Sequence, residues 1–202
     1  MSPAIVVLAE GDTERAFKDR LKRFLDERAG TKPKIRLNVK PVDGMMSEKV
    51  IKSRVPKYLD QNDCRGVVVL ADVYPFYKSA EHAKTTLQSW MPSDPRCHAH
   101  AALHDFEAWL LCDWNSILNL ANIKNKQPWS NNPETVNLIN PPSHRLDDLF
   151  NHEAVPRQKY SKVRQGKILM EKLDLISAAN ICSELKAFLN TLLKIANYEQ
   201  LQ

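Results

Sequence analysis

Ala4-Ile5-Val6-Val7-Leu8-Ala9-Glu10-Gly11-Asp12-Thr13-Glu14 is the stretch that decides how this chain is read. A short, β-branched apolar run ends on a carboxylate, turns at a glycine and leads into a helical pattern. Such a run, bounded by turn signals, is the mark of a strand buried on both faces of a parallel sheet. From Thr13 to Arg28, Phe17, Leu21, Phe24 and Leu25 recur at helical spacing and form one apolar stripe. Asp12 or Thr13 can cap that helix, and Glu14 reads as a partner of its dipole. Glu10 is therefore expected where a buried strand gives way to a helix, at the edge where open α/β sheets bind ligands.

A second run, Gly66-Val67-Val68-Val69-Leu70-Ala71, ends in the same way on Asp72. Two acids at the ends of two buried strands point to a divalent-cation site, because hard cations prefer carboxylate oxygens. Between these runs lie a strand at Ile35–Val39, a turn at Pro41 and Asp43-Gly44, and a helix capped by Ser47 that Pro56 interrupts or restarts. Beyond Asp72 the pattern predicts a loop with Tyr74, Phe76 and Tyr77, a helix over Ala80–Trp90, a strand over Arg96–Leu103 and an apolar helix over His104–Leu120. Residues 122–143, rich in Asn and Pro, read as an irregular connection. Helices follow near Arg145–Asn151, Tyr160–Leu173 and Ser177–Asn197. Strands alternating with helices, then helices alone, predict an α/β parallel-sheet core over residues 1–120. Residues 121–202 add helices packed on it, in one domain overall.

The chain has 202 residues, enough for one substantial core. No apolar run approaches the roughly 20 residues of a membrane span, and no signal peptide is recognisable, so a cytoplasmic protein is expected. The four cysteines are scattered without a CxxC pair and read as reduced thiols. The formal charge of +5 is compatible with a polyanionic partner. Lys32, Lys34, Arg36 and Lys40 share one face of a strand, either as a charged edge guard or as part of a basic surface. Arg157, Lys159, Lys162, Arg164 and Lys167 form a second cluster with no acid between them.

Glu107, within His104-Asp105-Phe106-Glu107-Ala108-Trp109, is an acid in an apolar helical segment and needs a cation or a basic partner. If the strand ends share one rim, Glu10, Asp72 and Glu107 converge. Each has a plainer reading: a helix N-terminal acid for Glu10, a turn-forming Asp for Asp72, a structural ion pair for Glu107 and a solvated helix lysine for Lys162. His98, His100, His104 and Cys97 form a weaker zinc candidate, without paired-ligand knuckles. Neither GxGxxG, GxxxxGK[ST] nor GxSxG is present, which argues against Rossmann or P-loop nucleotide binding and an α/β-hydrolase nucleophile.

Glu10-Gly11-x-Thr13-Glu14 after one strand and Asp72-x-Tyr74 after another resemble the Toprim catalytic domain. The set His104-x-Phe106-Glu107-Ala108, Pro142-Ser143-x-Arg145-Leu146 and Tyr160-x-Lys162 followed by Gly166 is similar to a small single-domain branch of Toprim-like proteins. Members of that branch are often encoded beside an ABC-type ATPase in bacterial phage-defence operons. The resemblance implies a Toprim-like Rossmannoid core with C-terminal helical additions and a Mg²⁺- or Mn²⁺-dependent nuclease acting on DNA or RNA with a separate ATPase. It assigns catalytic roles to Glu10, Asp72, Glu107 and Lys162, metal binding to the three acids, and nucleic-acid contacts to Lys162, Arg164, Lys167 and Tyr74. The usual Asp-x-Asp is Asp72-x-Tyr74 here, and tyrosine is a poor magnesium ligand. The alternatives are a non-catalytic module that binds nucleic acid or regulates the ATPase, and a doubly wound domain unrelated to nucleic acid. The chain offers no room for the strand-passage domains of a topoisomerase.

Overall fold

A computed structural model describes residues 2–10, 13–42, 44–136 and 140–202, with the backbone alone for 13–16. Gly11, Asp12, Asp43 and the side chains of Thr13 and Glu14 lie outside the described residues, and with them the expected cap, dipole partner and part of the expected turn.

Four strands, β1 (Ala4–Glu10), β2 (Arg36–Val42), β3 (Cys64–Asp72) and β4 (Cys97–Ala102), form one sheet. Their spatial order is β2-β1-β3-β4 and every pairing is parallel. The helices α1 (Thr13–Ala29), α2 (Glu48–Leu59) and α3 (Ala80–Trp90) connect them. The α/β class read from the sequence is thus observed, with a parallel sheet covered on both faces.

Alternation along the strands sorts the core into two sides. Val6 and Leu8 of β1, with Val67, Val69 and Ala71 of β3, pack against Ile51 and Val55 of α2 and Leu87 of α3. Ile5, Val7 and Ala9, with Val68 and Leu70, pack against α1 and the later helices. Those helices are α4 (Glu107–Leu110), α5 (Trp114–Ala121), α6 (Pro142–His152), α7 (Lys167–Lys172), α8 (Leu175–Ala179) and α9 (Ser183–Ala196). On this side Phe17, Phe106, Trp109 and Phe188 form an aromatic hub, with ring centroids 5.0–6.0 Å apart. It ties α1, α4 and α9 together behind the sheet. Buried Glu134 accepts from Trp109 Nε1, Ser183 Oγ and the amides of Glu184 and Leu185, so a remote carboxylate satisfies the start of α9.

Several local expectations are corrected. Pro41 lies inside β2 rather than in a turn; β2 is an outer strand, where a missing N–H donor is tolerated. Its exposed Arg36 and Lys40 suit a guarded edge. Pro56 neither interrupts nor restarts α2, which runs through it to Leu59. The expected helix from His104 to Leu120 is broken: His104 adopts φ 69°, α4 starts only at Glu107, and a 3₁₀ turn at Leu111–Asp113 precedes α5. The segment expected as a helix from Tyr160 begins instead with a π-helical turn over Lys162–Gly166 before α7.

Gly66 shows how tightly α9 lies on the sheet. A Cβ there would meet Ile195 Cδ1 at 2.9 Å and Cγ2 at 3.1 Å. Gly66→Ala is expected to cost about 1–3 kcal/mol by overpacking. Adding Ile195→Ala should recover part of that loss, giving a non-additive double-mutant cycle in denaturant unfolding.

Candidate active site at the carboxyl rim

β1 and β3 are neighbours, and Ala9 pairs with Leu70, so Glu10 and Asp72 leave the sheet side by side. By strand alternation Glu10 leans toward the α2 side and Asp72 toward the α1 side. Hydrogen bonds fix both orientations. Glu10 Oε1 accepts from the Met46 amide at 2.5 Å and its Oε2 from the Asp72 amide at 3.3 Å. Asp72 Oδ1 accepts from the Phe106 amide at 3.0 Å. Both acids line one cleft of about 490 Å³, together with Tyr74, Phe76, Met45 and Lys162. Among the described residues neither is ion-paired with a lysine or arginine within 4 Å.

Glu107 opens α4 and is 0% exposed, held there because Ala108 and Trp109 are buried in the aromatic hub. Its Oε2 lies 3.1 Å from Lys162 Nζ, and its Oε1 accepts from the Tyr160 hydroxyl at 3.5 Å, the outer limit for such a bond. The structural ion pair weighed from the sequence is therefore present, and its partner is the very lysine expected at the phosphate. Lys162 keeps 39% of its side chain exposed and lines the cleft, so one ammonium faces both Glu107 and the open site. It projects from the π-helical turn, an irregularity frequent at functional sites. Gly166 closes that turn; a Cβ there would come within 3.0 Å of the Tyr160 hydroxyl.

Asp105 is the functional neighbour that the sequence reading did not single out. It is buried; Oδ2 accepts from the Ser143 amide at 3.0 Å, and Oδ1 has no hydrogen-bond partner among the described residues. The signal available was its place two residues before Glu107 in the same apolar segment. Tyr160 was visible only as part of the Tyr-x-Lys pattern.

The electrostatics follow from this crowding. Burial raises the Asp72 carboxyl well above the usual range; Lys162 opposes the shift, and Asp105, Glu107 and Glu10 add to it. Burial likewise raises Glu10, against the pull of the Met46 and Asp72 amides and of Lys162. Glu107 is raised by burial, with Lys162 opposing and Asp105 reinforcing. Burial works to lower the Lys162 ammonium, but Glu107, Asp72 and Asp105 outweigh it and raise it. The Tyr160 phenol is raised by burial and by Glu107, so it remains a donor.

Four carboxyl groups thus surround one lysine, and the set lacks positive charge. That imbalance is the observation that fits a divalent cation: Glu10 and Asp72 supply hard oxygens in the cleft, a sufficient protein contribution for Mg²⁺. Among the described residues, no group of three or more His, Cys, Asp or Glu side chains is arranged to hold a metal. That statement also covers the zinc candidate. His100 Nε2 is hydrogen-bonded to Thr191 Oγ1 at 2.9 Å, and its ring packs edge-on against Phe188. Of the expected nucleic-acid contacts, Tyr74 is 40% exposed at the cleft mouth, Arg164 is exposed in the turn that carries Lys162, and Lys167 is exposed at the start of α7.

Lys162→Met should destabilise the fold by about 2 kcal/mol near pH 8, less than for a fully buried pair because its ammonium reaches the cleft. Asp72 and Glu107 bind protons more tightly folded than unfolded. Stability therefore falls as pH rises from their ordinary values through the raised ones. Removing the lysine widens that window. The deficit of the variant should shrink toward about pH 5, where protonated acids no longer need the ammonium, as melting curves at both pH values would read.

The fold is similar to that of the C-terminal region of the Burkholderia pseudomallei OLD protein, with a TM-score of 0.50 and 16% identity over 98% of each chain. No curated protein matches the chain. Among the described residues, no helix is long and apolar enough to cross a membrane. The model of the family described as a domain of unknown function (DUF4276) matches residues 9–193, nearly the whole sequence, and the chain belongs to that family.

Proposed function

We propose that this chain is a Toprim-like, Mg²⁺-dependent phosphodiesterase that cleaves nucleic acid. The observation that carries the reading is the meeting of Glu10 and Asp72, from neighbouring strands, in one cleft whose acids outnumber its single lysine. Glu10 and Asp72 would hold the ion, with the phosphate and water completing its shell. When bound, Mg²⁺ (or Mn²⁺) supplies Lewis-acid polarisation of a phosphoryl oxygen and acidifies bound water.

The chain's own groups do the rest. The Met46 and Asp72 amides orient Glu10, whose raised carboxyl is suited to exchange a proton at Oε1 or Oε2 during attack or departure. Lys162 Nζ, fixed by Glu107, places positive charge at the wall of the cleft, where a phosphate oxygen gains charge in the transition state. Glu107 enters the site through Lys162, and the Tyr160 hydroxyl holds its other oxygen. Tyr74 stands at the mouth, in the position where the usual pattern has a second Asp. Arg164 and Lys167 offer exposed charge for neighbouring phosphates. An ABC-type ATPase partner and a role in phage defence belong to the same proposal and rest on the motif resemblance.

Incubation with DNA and RNA in Mg²⁺ or Mn²⁺ should give cleavage that Glu10→Gln and Asp72→Asn each reduce by at least about 10²-fold. Nucleic-acid binding without metal-dependent cleavage, with and without the ATPase, would establish the non-catalytic module instead. A second readout is independent of turnover. Asp72→Asn removes a negative charge from the crowd of acids, and should raise the metal-free melting temperature by roughly 2–4 °C, the shift that ~1 kcal/mol produces in a chain of this size. The same variant should lose the upward shift that the wild type gains from Mg²⁺ or Mn²⁺.

A further inference from the structure

The cleft that holds Glu10 and Asp72 has an unusual rim. Among the described residues, eight large hydrophobic side chains are exposed, and four of them, Met45, Tyr74, Phe76 and Val163, line this one cleft. Phe76 is the most open of the four at 59%. A duplex presents charged phosphates and sugars along its outer surface, and these gain nothing from an apolar rim. An unpaired base does, because it offers a flat apolar face to an aromatic ring.

A second depression of about 400 Å³ adjoins the cleft and shares Ser161 with it. Its walls include Lys159 and Arg164, both exposed, and no acid among the described residues lines it. Acid floor, aromatic rim and basic extension therefore follow one another across the π-helical turn. Apolar and basic surfaces adjoin there, as expected for a strand whose bases and backbone are both accessible.

We propose that the substrate is single-stranded nucleic acid, or an unpaired stretch within a longer molecule. One base stacks on Phe76 and Tyr74, and the adjoining phosphates run over Lys159 and Arg164. The inference rests on the nuclease reading and adds strand state, a stacking residue and a direction of travel to it. The open apolar rim then has a specific occupant, and Tyr74 in place of a carboxylate becomes a gain in stacking surface at the cleft mouth.

The test is fluorescence anisotropy of the full chain with labelled oligo(dT) and with a hairpin-capped duplex of equal length. Ca²⁺ replaces Mg²⁺ so that binding is read without turnover. Oligo(dT) should bind at least about tenfold more tightly than the duplex. Phe76→Ala should weaken oligo(dT) binding about tenfold while leaving duplex binding unchanged, and Phe76→Trp should restore it. Phe76 is so exposed that its replacement leaves the core intact; Tyr74 packs edge-on near His144, so Tyr74→Ala serves as the second variant after its melting curve is checked. Lys159→Ala and Arg164→Ala should each reduce the slope of log K against log salt by about 0.7, the value for one phosphate contact on a single strand. Equal or tighter duplex binding, or a single-strand preference untouched in both Phe76→Ala and Tyr74→Ala, overturns this inference and leaves the nuclease reading standing. Absence of binding and cleavage with either probe overturns both.

Discussion

One ammonium among four carboxyl groups governs this structure. Lys162 touches Glu107 directly, and its charge is felt by Glu10 and Asp72, while Asp105 pushes the other way. Charges in such a recess are only tolerable when partners replace the water they have lost. The fold meets that need in part: backbone amides serve Glu10 and Asp72, Ser143 serves Asp105, and Tyr160 and Lys162 serve Glu107. What remains, among the described residues, is an excess of acidic over basic groups facing an open cleft. The late helices and the π-helical turn can be understood from this requirement, because they bring the lysine back to the sheet rim from far along the chain.

The parts of this arrangement legible in the sequence are those written by periodicity. The apolar runs before Glu10 and Asp72, short, rich in β-branched residues and bounded by turn signals, read as buried strands, and the stripe Phe17, Leu21, Phe24 and Leu25 reads as the inner face of a helix. Their boundaries agree with the structure to within a few residues. Features decided by tertiary position were not legible. Pro41 signals a turn unless the strand is an outer one, and the position of β2 in the sheet is not encoded locally. His104 and the start of α4 depend on where the rim of β4 meets the aromatic hub. The left-handed φ at His104 falls between β4 and α4, and Glu107 at the start of α4 faces Lys162. Asp105 and Tyr160 act through contacts with partners distant in sequence, and such contacts have no period to detect.

The aromatic hub explains how a helix of only four residues can hold a buried acid. α4 is too short to be stable through its own hydrogen bonds. It is fixed by Trp109 stacked on Phe188 and by Phe106 against Phe17, and Trp109 Nε1 is in turn bound by Glu134. Glu134 also satisfies the first amides of α9, so one buried carboxylate couples the short helix that carries Glu107 to the long helix that covers the sheet. The rim chemistry is consequently built on packed elements, whereas the cleft mouth is formed by exposed side chains.

The division of labour between those two layers has a further consequence. Glu107 shares the Lys162 ammonium from behind, so its charge only partly offsets Glu10 and Asp72, and a phosphate entering the cleft would meet an excess of acid. A polyanion would be repelled unless a cation bound first. On the proposed function the order would follow from charge: the acids would acquire a positive ion before the phosphate approaches, while the exposed bases and aromatic rings around the mouth would hold the rest of the strand without it. In the proposed nuclease, recognition and chemistry would lie on separate surfaces, the first apolar and basic, the second acidic and dependent on a cation.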